Sequence, residues 1–339
     1  SDKHKLERIK HYQLLGWFLS VCERIAGYAL GDFEHANQLA RSNAHALGWH
    51  PSIINEESVK YFDALKEENE MLQFVLKGVP DNLKKNLSNN IESFQNLHKE
   101  EKKIRNLAKR NQISFVCRIE QIKSSYNKDK ESDLDRDVRN CVLNIYNNLP
   151  LPLKRGERSF ISSLSDPNSI LITLRVKKEQ ISYLNNNKDN KENGTKNFVN
   201  ILKDKEDSIH ENEAIIGYVK GGPIEKYKLR RGTFDVNNGK KNTVHMEWIC
   251  IRPGYWGTSG GHLLRMNFLQ EAKKRGYNFI TGYVHRDVIM KRINKGEMIQ
   301  IVQKYDPDKL DYYRIDLNTI SITSASEEDL DEFVTAVYP

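Results

Sequence analysis

The sequence predicts two parts of different class, an all-α helical domain over residues 1–125 and an α/β or α+β domain over 126–339 in which helices flank a sheet. Three observations predict this. From residue 5 to about 125, apolar residues recur at three- and four-residue steps. Between 169 and 251, three short runs rich in β-branched residues stand between polar turns. From Thr243 onward, signals for strand, tight turn and helix alternate, the pattern of crossovers on a sheet. A chain of 339 residues also has the length for two domains, because single hydrophobic cores stop growing at about 250–300 residues.

In the first part Leu14, Phe18, Val21 and Ile25, and later Leu83, Leu87, Ile91, Phe94 and Leu97, mark the buried stripes of a bundle or long hairpin. Gly48-Trp49-His50-Pro51 and Gly78-Val79-Pro80-Asp81 supply breakers between helices. His11, His35, His45 and His50 share no metal-ligand spacing and are assigned no function. A further helix is expected over Asp133–Asn148, stopped by Pro150 and Pro152. Strands are expected at Ser169–Val176, Ala214–Val219 and Val244–Ile251. Between the first two lies a mobile insertion at about 185–213, crowded with Asn, Lys, Asp and Glu, which buries too little to offset its ordering entropy. Then come a helix at Leu263–Arg275, a strand at Asn278–Val284, a helix at Asp287–Asn294, and closing strands at Tyr312–Leu317 and Thr319–Thr323.

Composition excludes several classes. With 38% hydrophobic and 29% charged residues the chain reads as soluble, and its longest apolar runs fall far short of the roughly 20 residues that span a bilayer. The charged N-terminus does not read as a secretory signal, which makes the cytoplasm the expected location. Cys22, Cys117, Cys141 and Cys250 form no CxxC pair, so neither a disulfide framework nor a metal site is expected. A net charge of +7 over this length does not by itself call for nucleic acid, although Lys226-Tyr227-Lys228-Leu229-Arg230-Arg231 would suit an anionic ligand or an acidic partner.

The chemistry-bearing stretch is Glu247 to Leu264, EWICIRPGYWGTSGGHLL. A strand that runs through small residues into a helix presents unpaired backbone N–H groups at the helix N-terminus, a binding place for phosphate or diphosphate. Gly257, Ser259, Gly260 and Gly261 let an anion approach the backbone. The stretch lacks the Gly-Lys-Ser/Thr of a Walker loop, the Gly-x-Gly-x-x-Gly of a dinucleotide fold and the Gly-x-Ser-x-Gly of a nucleophile elbow.

It resembles the central motif of the GNAT N-acyltransferases, in which a strand ending in apolar-x-Pro is followed by Arg or Gln-x-x-Gly-x-Gly/Ala and a helix opening on Leu-Leu. Pro253, Gly261 and Leu264 fall on the motif, whereas Trp256 stands at the Arg/Gln position and Ser259 at the first glycine. The resemblance extends loosely over about Leu134 to Ile320 and is specific over Thr243–Gly296. It implies a mixed GNAT-like sheet and acetyl-CoA or another acyl-CoA as donor. It also implies an acyl-CoA site built from Cys250, Ile251, Arg252, Trp256, Gly257, Thr258, Ser259, Gly260, Gly261 and His262. Arg292 stands where that family often places a tyrosine, so no tyrosine acid carries over.

The chemistry so implied is direct attack of an amine on an acyl thioester, which requires the amine to lose a proton. Residues two apart on a strand share a face, so His245, Glu247, Ile249 and Ile251 are expected to point one way, with Cys250 turned from them as a buried apolar residue. Glu247 and His245 are the candidate bases. Tyr255, Trp256 and Tyr283 read as packing around the site. The expected partners are acyl-CoA and an amine-bearing small molecule or protein, with neither a membrane span nor nucleic acid. The competing reading is a degenerate GNAT fold acting as a non-catalytic scaffold for protein contacts.

Overall fold

The computed structural model describes residues 2–46, 53–67, 69–110, 113–122, 135–147, 157–177, 180, 209–210, 212–252, 255–306 and 308–320. Two compact units make up the chain, Ser1–Glu100 and Glu101–Pro339. Within the first, α1 (Asp2–Ala29), α2 (Phe33–Ala46), α3 (Ile54–Glu67), α4 (Asn69–Lys77) and the start of α5 (Asp81–Lys109) are helical. Their apolar stripes meet in a core of Val21, Ile25, Leu65, Met71, Leu72, Val75 and Leu87. Tyr28, Phe62 and Phe94 pack edge-on or tilted beside it, with centroids 4.8–5.8 Å apart. Chain reversal after α1 is secured by polar groups. Asp32 accepts the His35 N–H at 3.0 Å, and the Asn90 amide donates to the carbonyls of Tyr28 and Gly31, which the helix end leaves without partners.

The second unit carries β1 (Phe115–Ile119), α6 (Arg136–Asn147), α7 (Glu157–Ser163), β2 (Ile170–Lys177), β3 (Ile209–His210) and β4 (Glu213–Pro223). After a 3₁₀ turn at Ile224–Lys226 follow β5 (Thr243–Ile251), α8 (Gly260–Lys274), β6 (Phe279–His285), α9 (Arg286–Asn294), β7 (Ile299–Gln303) and β8 (Leu310–Asp316). They form one mixed sheet flanked by helices, in the order β1-β2-β4-β5-β6-β8-β7 with β3 beside β4. Every pairing is antiparallel except β5 with β6, which is parallel and connected by the α8 crossover.

One face packs on α8 through Leu264, Phe268, Leu269 and Ala272, which meet Ile172, Leu174, Val219 and Met246. Burying a side chain such as Phe268 contributes about 1.5–3 kcal/mol. Its ring reaches the sheet because Gly221 has no Cβ, an atom that would sit 2.6 Å from Phe268 Cζ and 2.4 Å from the His245 carbonyl oxygen. The other face carries a smaller core in which Val138, Val142, Ile145 and Tyr146 of α6 meet Leu171, Ile215 and Tyr218.

Two expectations change. Residues 115–119 lie in the stretch read as helical, yet they form β1, paired with β2 from Phe115↔Val176 to Ile119↔Ile172. The run Phe-Val-Cys-Arg-Ile gains more from a sheet edge than from helix propensity. The compact units divide between Glu100 and Glu101. Finally, Ile299–Gln303, for which no strand is expected, forms β7. Most of the expected insertion at 185–213 lies outside the described residues, while Ile209–His210 and Glu213 belong to β3 and β4. Thr319 and Ile320 lie beyond the last strand, and the remainder of the expected strand to Thr323 lies outside the described residues.

Candidate functional site

The site is organised by an irregularity in β5. Val219 pairs with Ile249 while Gly221 pairs with Met246, so Lys220 alone lies opposite Glu247 and Trp248. This is a β-bulge, and it reverses the side-chain alternation beyond it. Val244, Met246 and Ile249 all belong to the core on the α8 face, with Ile251 packed against it, while Cys250 and Trp248 pack with the α6 face. The expectation that His245, Glu247, Ile249 and Ile251 share a face is therefore overturned. Cys250 lies on the Glu247 side, because an inserted residue shifts the two-residue period by one.

A second irregularity lies on the other edge of β5. Pairing with β6 covers only Thr243↔Phe279, Val244↔Ile280 and His245↔Thr281, although β5 continues to Ile251 and β6 to His285. The parallel strands separate past these residues, beside the bulge.

From the end of β5 the chain turns into α8. Arg252 N–H donates to the Ile216 carbonyl at 2.7 Å, Tyr255 N–H to Arg252 at 3.2 Å, the Thr258 hydroxyl to the Tyr255 carbonyl at 2.6 Å, and the Trp256 indole to the Ile251 carbonyl at 2.8 Å. Pro253 and Gly254 lie outside the described residues. Gly257 at φ +77° and Ser259 at φ +64° both adopt the left-handed conformation, which glycine accepts freely and serine at a cost of about 1–2 kcal/mol. Gly260 sits under Leu174, whose Cδ2 would lie 2.5 Å from an added Cβ, so the helix starts against β2. Gly260, Gly261 and His262 are buried in the first turn, which holds no acidic residue to oppose the positive end of the helix dipole. A helix N-terminus of this kind favours negative charge. Of the expected contacts, Gly257–His262 are brought together here, the Ile251 side chain packs beneath Gly260, and the Cys250 side chain points to the opposite face.

On that face a cleft of about 90 Å³ is lined by Tyr146, Phe160, Asp166, Tyr227, Glu247 and Trp248, among others. Tyr146 and Phe160 stack with centroids 3.9 Å apart. Glu247 Oε1 accepts from the Tyr227 hydroxyl at 2.6 Å and from Lys220 Nζ, which is 1% exposed. Sequence reasoning passed over Lys220, although a lysine inside the apolar run AIIGYVKGG was a signal.

His245 is 1% exposed, does not line the cleft, and lies in an aromatic cluster with Tyr227, Tyr283 and Tyr312. Its Nδ1 lies 3.2 Å from Thr281 Oγ1. Tyr283 is anchored by Thr233 and by the Arg230 N–H. Burial pushes the Cys250 thiol up to about 12, which removes it as a nucleophile near neutrality. Arg292 is buried against Tyr313, where burial first and the neighbouring Arg265 second bring its guanidinium down to about 10. It remains a cation. Among the described residues no helix is long and apolar enough to cross a membrane, and no group of His, Cys, Asp or Glu could hold a metal ion.

No protein-family model and no curated protein matches the sequence. Solved structures do align. The PaiA N-acetyltransferase of Thermoplasma acidophilum, solved with coenzyme A, is 10% identical at TM-score 0.30, covering 60% of this chain and 99% of its own. The ribosomal-protein-S18-alanine N-acetyltransferase of Escherichia coli is 11% identical at TM-score 0.33, covering 63% and 97%. NAA60 of Arabidopsis thaliana, solved with a bisubstrate analogue, is 9% identical at TM-score 0.33, covering 59% and 96%. These alignments cover about 60% of the chain.

Proposed function

We propose that the unit Glu101–Pro339 transfers an acyl group, acetyl by default, from acyl-CoA to an amine by direct attack on the thioester. The observation that carries this reading is the layout around β5. One strand separates from its parallel neighbour, ends in a helix N-terminus free of acidic residues, and bulges to put a carboxylate into a cleft on the opposite face. The turn Gly257–His262 holds the diphosphate through backbone N–H groups and the helix dipole.

The acceptor amine enters between Tyr146, Tyr227 and Trp248 and gives a proton to Glu247, directly or through water. Its nitrogen bonds to the thioester carbon as the carbon–sulfur bond breaks, and the thiolate leaves with a proton from solvent. Glu247 is assigned as the base over His245 because it lines the cleft, whereas His245 lies buried in the aromatic cluster beside Tyr227.

Calorimetric titration with acetyl-CoA and a longer acyl-CoA, followed by assay of free CoA release with a panel of amines, tests the proposal. Saturable binding and amine-dependent release are expected. If neither acyl-CoA binds, the acyl-transfer reading is overturned in favour of a scaffold.

A further inference from the structure

We infer that Lys220 and Tyr227 are positioning residues that hold the Glu247 carboxylate as an anion, fixed at the bulge, for proton transfer. The inference rests on the acyl-transfer reading for what Glu247 does and on geometry for how it is held. Lys220 Nζ and the Tyr227 hydroxyl converge on the same oxygen, Oε1, the tyrosine at 2.6 Å. Both members of the ion pair are buried, with side chains 1% and 7% exposed. Lys220 also lies over the Phe160 ring, 5.5 Å from its centroid.

Burying a lysine is unfavourable unless a partner and geometry compensate it. A strand could carry an aliphatic residue at this place without that cost, so the charge has a use beyond packing. The bulge supplies the geometry, since Lys220 faces both Glu247 and Trp248 and the carboxylate stays on the cleft face.

Among the described residues around Glu247, Lys220 is a cation paired with it. From β4 come Lys220 and Tyr218, from the segment after β4 Lys226 and Tyr227, from α6 Tyr146, from the loop before β2 Asp166, and from β5 itself His245 and Cys250. Lys226 is paired with Asp166 at 2.5 Å. Burial keeps Tyr218 and Cys250 protonated. An adjacent cation favours the ionised carboxyl, and a phenol that donates to it acts in the same direction. Removing either donor therefore favours the neutral acid and moves the acid limb of activity to higher pH.

The test compares wild type, Lys220→Met and Tyr227→Phe by two readouts. One is the carboxyl titration of Glu247 in protein labelled with ¹³C at glutamate Cδ, assigned by its loss in Glu247→Gln. The other is the pH profile of kcat at saturating acyl-CoA and amine. For Lys220→Met, both midpoints should rise together by about 1–3 pH units with KM for acyl-CoA unchanged, and Tyr227→Phe should move them less in the same direction. An unmoved Glu247 titration in folded Lys220→Met overturns the inference. If Lys220→Met does not fold, an unmoved titration in Tyr227→Phe overturns it instead. Acyl transfer with unmoved midpoints removes the role of Lys220 and leaves the reaction standing. A shifted titration in a protein that transfers no acyl group supports the pairing and removes the reaction.

Discussion

The indole N–H of Trp256 donates to the carbonyl of Ile251 at 2.8 Å, tying the turn before α8 back to the last residue of β5. Trp256 therefore braces the turn that leads into α8.

Replacing Trp256 by Phe removes one hydrogen bond worth about 1 kcal/mol and leaves the ring. We expect acyl-CoA affinity to fall roughly 3- to 10-fold and Tm to fall by about 2–4 °C. Calorimetric titration checks this, and unchanged affinity would refute a bracing role.

Gly257 adopts φ +77°, where a β-branched side chain meets the carbonyl oxygen that follows it. Gly257→Val should weaken acyl-CoA binding by at least tenfold while the helical unit Ser1–Glu100 keeps its circular dichroism. Binding that survives intact would mean that this turn is not the cradle.

Gly221 lets Phe268 and the His245 carbonyl approach β4 closely. An alanine Cβ would meet the carbonyl at 2.4 Å, and backbone cannot yield as a flexible side chain can. Gly221→Ala is expected to cost about 1–3 kcal/mol by overpacking, read as a lowered urea midpoint at constant m.

For the proposed base, Glu247→Gln keeps the shape and removes proton acceptance, so kcat should fall about 10²- to 10⁴-fold at saturating acyl-CoA. His245→Ala should cost less, because His245 lies outside the cleft. Should both variants and their combination retain near-normal turnover with an unchanged pH profile, neither residue is the base.

Burial raises the thiols of Cys117 and Cys250 from 9.0 to about 12. Unfolded, both ionise near pH 9, so above that pH the native state binds more protons and stability declines until about pH 12. Below pH 9 their contribution is fully present. Urea unfolding at pH 8 and pH 10.5 should show the loss, and Cys250→Ala should reduce the difference between the two. An equal difference in that variant would contradict the burial of its thiol.

Local spacing along the chain sufficed to give the class of both units and most of the elements around the site. The periodicity of Val21 and Ile25, of the strand runs at 170–177, 213–223 and 243–251, and of Leu264, Phe268 and Ala272 is set by local spacing. The strand, turn and helix around Gly257–Gly261 are likewise consecutive in the chain, so their order was legible.

The faces of β5 and the partner of Glu247 follow from strand pairing in the folded chain. A bulge is a property of two paired strands, here Lys220 against Glu247 and Trp248, and no periodicity within β5 announces it. Lys220 and Tyr227 lie 27 and 20 residues from Glu247 and reach it only through β4–β5 register and the loop between those strands. β1 became a strand because β2 offered it an edge, a long-range pairing that outweighed the helical signals around it. The chain's own spacing thus fixes what each segment can be, whereas the pairing of distant strands selects which face, and which charge, each residue meets.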